Sequence, residues 1–255
     1  MVSIIWAFVV GLCFGSLANV LIYRLPLKRS IVKPQSACTA CGEFIATYDL
    51  LPVLSWVMLK GRCRCCRAFI SLRYPLVELA CGLLFAGMVL LTPTISAVFL
   101  SAFAFILLVI SYIDWDTQEI YDGLLIIAAL VGVIWVVCSY FFVFPLAPCF
   151  INAVLGILVG AAPLFVLDKL TLAIYKKDGF GYGDVKLMAV SGLFLGWQYV
   201  LMAFFFAFLS GGFYATILLI TGRAKSGEYI AFGPFLSSGV ISALWFGRAL
   251  LEFAI

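Results

Sequence analysis

Eight apolar runs, most of them long enough to cross a lipid bilayer, constrain this chain more than any other feature. They lie at roughly 3–23, 75–92, 95–113, 123–144, 150–174, 185–197, 199–221 and 229–251. A helix needs about 20 apolar residues to span the hydrocarbon core. A spanning segment must also satisfy its own backbone hydrogen bonds, because lipid offers none. The sixth run is short and reads as a half-span or a tilted helix, which leaves a seven-span count open. Composition agrees: 65% of the residues are apolar and 11% charged, against about 45–50% and about 25% in soluble domains. The sequence therefore predicts an all-α polytopic membrane protein with about eight transmembrane helices. Met1 to Tyr23 lacks a basic leading segment and a small-residue cleavage site, so it reads as a retained first span and not as a secretory signal.

Basic residues orient the spans. Nine of the sixteen Lys and Arg residues fall between Arg24 and Arg73. Lys169, Lys176 and Lys177 lie around the fifth connection, and Arg223 and Lys225 in the seventh. The connections near Thr92-Pro93, Phe144 to Pro148 and Gly196-Trp197-Gln198 carry no Lys or Arg. The alternation places the basic side in the cytosol, together with Asp114 to Asp122 and Lys176 to Asp184. The net charge of +4 follows this loop pattern and gives no sign of a nucleic-acid partner.

The polar segment after the first span divides the chain into a transmembrane helix at 1–23, a cytosolic loop at 24–74 and a membrane-embedded core at 75–255. The loop holds Cys38-Thr39-Ala40-Cys41 and Cys63-Arg64-Cys65-Cys66, two C-x2-C pairs separated by 21 residues. Four thiolates at this spacing suit tetrahedral zinc. A cytosolic location argues against disulfides, because thiols stay reduced there. Cys38, Cys41, Cys63 and Cys66 are the expected ligands, with Cys65 competing for the fourth place. Four protein ligands leave no open position, so the site reads as structural. Cys13, Cys81, Cys138 and Cys149 sit in or beside apolar runs and read as packing residues.

The chain contains no histidine. Ser-His-Asp hydrolysis, Cys-His proteolysis and histidine-ligated metal catalysis are therefore excluded. Carboxylates remain. Asp114, Asp116, Glu119 and Asp122 crowd the boundary between the third and fourth runs, and Asp184 opens the sixth. Ionisable groups at a membrane boundary point to function. Two carboxylates sharing one proton can activate water and polarise a carbonyl. The alternative for Asp122 and Asp184 is helix capping. Gly179, Gly181 and Gly183 favour a working site at Asp184, since glycines allow close backbone approach. Lys186 either pairs with a carboxylate or snorkels.

Taken together these residues resemble the type IV prepilin peptidases, the GxGD aspartyl proteases of the bacterial inner membrane. Gly15-Ser16-Leu17-Ala18-Asn19-Val20 through Arg24-Leu25-Pro26 is similar to the family's opening segment. The two cysteine pairs follow in the family's order. Arg73-Tyr74-Pro75-Leu76-Val77-Glu78-Leu79, Ile113-Asp114-Trp115-Asp116 through Asp122, Gly179 to Leu187, and Phe232-Gly233-Pro234-Phe235 are similar to its later motifs. The resemblance selects Asp114 and Asp184 as the catalytic pair, and Gly181, Gly183 and Lys186 are expected to position the substrate. It implies cleavage of type IV prepilin or pseudopilin leaders at the cytosolic membrane face, followed by N-methylation with S-adenosylmethionine. The sequence itself shows no nucleotide fingerprint that would locate the methyl donor. Ile120-Tyr121-Asp122 stands where the family has Leu-Pro-Asp, and Asp178 stands near its glutamate. The competing readings are a peptidase without methyltransferase activity, a methyltransferase whose aspartates are structural, and an ion-coupled transporter.

Overall fold

A computed structural model describes residues 1–92, 95–141, 147–176, 181–223 and 230–254. Pro93, Phe144, Lys177, Asp178, Gly179 and Lys225, which entered the sequence reading, lie outside the described residues. Each of the eight apolar runs forms a helix. In chain order the helices are α1 (Val2–Arg24), the short α2 (Leu54–Met58), α3 (Arg73–Leu91), α4 (Ser96–Thr117), α5 (Asp122–Phe141), α6 (Phe150–Tyr175), α7 (Tyr182–Leu195), α8 (Trp197–Ile220) and α9 (Gly233–Ala254). Among the described residues six of them are long and apolar enough to cross a membrane: α1, α3, α4, α5, α6 and α8. The short α7 does not meet that standard. α7 has 14 residues, about 21 Å at 1.5 Å per residue, which is short of a core about 30 Å thick. Beta pairing among the described residues is limited to two isolated bridges, Ala37 with Phe44 and Arg62 with Phe69.

The chain forms two compact units that meet in sequence inside α4, the second beginning at Ile110. In the first, α1 packs on α3. Gly11 and Gly15 make this possible. A Cβ on Gly11 would lie 2.8 Å from the Cys81 carbonyl, and one on Gly15 would lie 2.5 Å from the Glu78 Cα. In lipid, helices associate by close van der Waals packing, so small residues at four-residue spacing mark the contact. Asn19 Nδ2 donates to the Tyr74 carbonyl (3.1 Å) and ties the end of α1 to the start of α3.

The second unit repeats the device. Gly156 and Gly160 on α6 meet Gly192 and Met188 on α7. On α8, Ala203 and Ala207 receive Gly239 of α9. Gly196, with φ +75°, is the single residue between α7 and α8. Trp135, Phe194, Met188 and Leu236 are fully buried. Many large apolar side chains on the outward helix faces stay exposed, such as Leu130, Leu158, Phe205 and Phe213. That pattern suits helices surrounded by lipid.

Candidate active site and metal centre

Four acids lie within Asp114 to Asp122, and the fold treats one of them differently. Asp114 is 5% exposed, whereas Asp116, Glu119 and Asp122 are exposed. Helical phase is the cause. Ile110, Ile113 and Asp114 fall on one face of α4 at i, i+3 and i+4, and the two isoleucines are buried with it. α4 stops at Thr117, and Gln118 takes a left-handed φ of 56°. Asp116, two residues on, falls on the other side of α4, and Glu119 and Asp122 lie beyond its end.

Asp184 sits in the first turn of α7 and is 3% exposed. The Gly181 carbonyl accepts the Asp184 N–H (3.0 Å), while the Asp184 Oδ1 is buried without a hydrogen-bond partner among the described residues. Asp114 and Asp184 lie within electrostatic reach of each other. An unpartnered carboxylate oxygen beside a second buried acid is costly in a low dielectric, and such costs gather at functional sites.

Asp114 is held from the far end of the sequence. The Gly233 N–H, at the start of α9, donates to its Oδ2 (2.9 Å). A Cβ on Gly233 would stand 2.7 Å from that oxygen. An aromatic group fixes the start of α9. Phe232 lies 5.5 Å from Phe208, Tyr214 lies 5.3 Å from Phe235, and Trp115 lies 5.5 Å from Tyr214, all between ring centroids. The helix N-terminus presents positive partial charge to the carboxylate.

The start of α7 is fixed by the segment that follows α4. A Cβ on Gly183 would lie 2.8 Å from the Ile120 Cβ, so this glycine accommodates the chain's own Ile120. Lys186 Nζ pairs with Asp122 Oδ1 (2.7 Å) and so stands on an exposed acid of the first cluster. From α6, Lys169 Nζ donates to the Tyr182 hydroxyl (2.7 Å), two residues before Asp184.

The metal-type site lies in the other unit. The sulfurs of Cys38, Cys41, Cys63 and Cys66 all fall within 4.8 Å of one another, and Cys65 is not part of the group. Two matching knuckles, 25 residues apart, bring them together. The Cys38 N–H donates to the Glu43 carbonyl and Gly42 N–H to the Cys38 carbonyl, both at 2.9 Å. The second knuckle repeats this, Cys63 to Ala68 at 2.9 Å and Arg67 to Cys63 at 3.1 Å. Tetrahedral zinc, with Zn–S near 2.3 Å, sets its sulfurs about 3.8 Å apart. Cys38 and Cys66 are 3.8 Å apart, so the four thiols fit such an ion. Backbone N–H groups of Cys41 and Ala40 bring the Cys38 thiol down to about 6.

Residues 9–92 match the model of the bacterial peptidase A24 N-terminal domain, and residues 101–216 match that of the type IV leader peptidase family. A protein named "Prepilin leader peptidase/N-methyltransferase" from Pseudomonas putida is 34% identical, over 94% of this chain and 89% of its own. The chain belongs to the type IV leader peptidase family. A protein of the same printed name from Stutzerimonas stutzeri is 33% identical over 95% of this chain and 90% of its own. One from Pseudomonas aeruginosa is 34% identical over 96% and 92%. No solved structure matches the chain.

The first match contains both cysteine pairs, and the second contains Asp114, Gly181, Gly183, Asp184 and Lys186. Membership of a peptidase family gives no support to ion-coupled transport. Gly233 falls beyond residue 216, outside both matches. Sequence reading noted Phe232-Gly233-Pro234 as a motif without assigning it a role. A glycine followed by proline at the start of an apolar helix is the signal that could have pointed to it. Asp168, buried at 3% in α6, also escaped the sequence reading.

Proposed function

We propose that this protein is a membrane aspartic endopeptidase that removes the leader from type IV prepilins or pseudopilins and then N-methylates the new N-terminus. The observation that carries the reading is the pair of buried carboxylates, Asp114 and Asp184, drawn from two helices in a chain without histidine. The printed name of the relatives supports both activities.

The pair shares one proton. Asp114, whose Oδ2 already accepts an N–H at a helix N-terminus, is suited to carry the charge and to take a proton from the attacking water. Asp184, whose Oδ1 has no donor among the described residues, is suited to hold the shared proton, polarise the scissile carbonyl and then protonate the leaving amine. Gly181 leaves room for the substrate backbone at the start of α7. Gly183 and Lys186 set the position of that start through Ile120 and Asp122. The prepilin's apolar helix reaches the site from the bilayer, and the dyad faces the cytosol of a bacterial inner membrane. Residues 24–74 form the cytosolic loop and 75–255 the peptidase core. Cys38, Cys41, Cys63 and Cys66 hold a structural zinc ion, and S-adenosylmethionine supplies a methyl group made electrophilic by its sulfonium.

The test is co-expression with a prepilin. Asp114→Asn and Asp184→Asn are each expected to slow leader removal by at least about a hundred-fold. Normal processing by either variant would overturn the dyad. The cleavage rate is expected to be bell-shaped in pH, falling on the acid side as the charged carboxylate is protonated and on the alkaline side as the shared proton is lost.

A further inference from the structure

The short helix α2 lies in the polar Cys-bearing loop, yet its outer face is apolar. Leu54, Val57 and Met58 stand at i, i+3 and i+4 and so share one face. All three are exposed, Met58 at 80%, and Leu51 just before them is exposed as well. The inner face is anchored. Trp56 Nε1 donates to the Ile70 carbonyl (3.1 Å), and its ring covers Gly61, where a Cβ would come within 2.7 Å. A contiguous apolar face in a polar segment marks a surface that something covers.

The fold sets the level of this face. α1 ends at Arg24 and α3 begins at Arg73, side by side, because Asn19 near the end of α1 bonds the Tyr74 carbonyl. α3 has 19 residues, about 28 Å at 1.5 Å per residue. It needs nearly all of that length to cross a core about 30 Å thick, so Arg73 stands at the boundary. Glu78 lies further in, more than one turn along α3. Its Oε2 accepts the Val53 N–H at 2.7 Å, which ties the start of α2 to a carboxylate below the end of α3. A helical side chain leans back towards the N-terminus of its helix, and this puts Val53 at the level of the boundary itself. Val53 has φ 60° and ψ −49°, a conformation a β-branched residue adopts only under constraint. The bond to Glu78 is such a constraint.

The charge around this face has one sign. From Arg24 to Arg73 there are nine Lys and Arg residues against two acids, Glu43 and Asp49, a net charge of +7. Asp49 is already held by Arg64. Lys60, two residues after α2, is exposed, as are Lys28 and Arg29 beyond the end of α1. An apolar face rimmed by cations fits acyl chains under anionic headgroups. It fits a protein less well, since four side chains fall far short of the roughly 800 Å² per partner of a stable protein interface. We propose that α2 lies in the plane of an anionic bilayer surface and anchors the Cys-bearing loop to it. Leu51, Leu54, Val57 and Met58 enter the acyl region, and Lys60 meets the headgroups. The loop is thereby fixed to the membrane at a third place, besides its two ends on α1 and α3.

The experiment uses the full chain in nanodiscs of phosphatidylglycerol, with a diazirine on a fraction of the acyl chains. On illumination, label is expected on residues 51–58 and absent from residues 36–44 of the first knuckle. The Leu54→Ser, Met58→Ser double variant is expected to lower label on 51–58 at least about ten-fold, because two large apolar groups leave the anchor, with label on α5 unchanged. Both replaced side chains are exposed, so the thermal midpoint should match that of the unaltered protein. Exchanging the headgroup for phosphatidylcholine is expected to lower label on 51–58 about three-fold or more relative to α5. Absence of label on 51–58 in the unaltered protein, label unaffected by the double variant, or equal label in the two lipids would each overturn the proposal. p-Benzoylphenylalanine in place of Met58 is expected to capture lipid, and capture of a second copy of the chain in its stead would overturn the proposal as well.

Discussion

At the scale of single residues, Gly233 is the clearest case of a side chain that must be absent. Its N–H meets Asp114 at 2.9 Å, and any Cβ would stand 2.7 Å from the same oxygen. Gly233→Ala is expected to push the carboxylate away and slow leader cleavage by about a hundred-fold, as misplacements near 1 Å do. The protein should keep its fold, so cleavage kinetics beside a thermal melt separate the two effects. Arg67 is the opposite case. It occupies, at φ 60°, the place that Gly42 fills at φ 75° in the first knuckle. A left-handed conformation costs a non-glycine residue about 1–2 kcal/mol. Arg67→Gly is expected to stabilise the loop by up to about 1 kcal/mol, net of glycine's greater chain entropy, read as resistance of residues 36–70 to proteolysis.

At the scale of elements, helix pairs are set by small residues. Gly160 on α6 faces the backbone of Met188 on α7, and Gly192 faces Gly156. Gly160→Leu is expected to cost about 1–3 kcal/mol through overpacking. It should also reduce cleavage, because α7 carries Asp184; thermal unfolding in micelles and cleavage kinetics check the two parts. The loop is held by its cysteines and by Arg64 on Asp49. The Arg64 hydrogen bonds hold the Asp49 carboxyl below the usual carboxylate range. A lowered acid contributes stability above its ordinary range and loses it as pH falls through the lowered value. Loop protection, followed by hydrogen exchange of residues 47–66, is expected to decline with acid below about pH 4 and to weaken with added salt. Chelation at neutral pH should expose the same segment to protease, since a small polar loop needs its staple.

At the scale of the whole molecule, the proposed dyad joins residues seventy positions apart, and a third contact comes from Gly233, further on again. Groups that act as one unit are not additive. The Asp114→Asn, Asp184→Asn double variant is therefore expected to cleave no more slowly than the slower single variant, a comparison that cleavage kinetics make directly. The sequence by itself determined the eight helices, because lipid forces long apolar runs to satisfy their own backbones. It also determined the thiol quartet, because two C-x2-C pairs fold locally, and the carboxylate chemistry, because histidine is missing. Residue types left four acids open at Asp114 to Asp122, and the choice of Asp114 came from resemblance. Packing supplied the physical reason: one face of α4 is buried and the chain turns away at Gln118, so a single acid of the four enters the interior. The sequence likewise marked Gly183 and Lys186 without showing that they meet Ile120 and Asp122. It did not reveal that α9 begins on Asp114. Those contacts join segments far apart in the chain, and their geometry depends on how closely the glycine-bearing helices can approach. That distance is a property of three-dimensional packing and has no local signature in the order of residues.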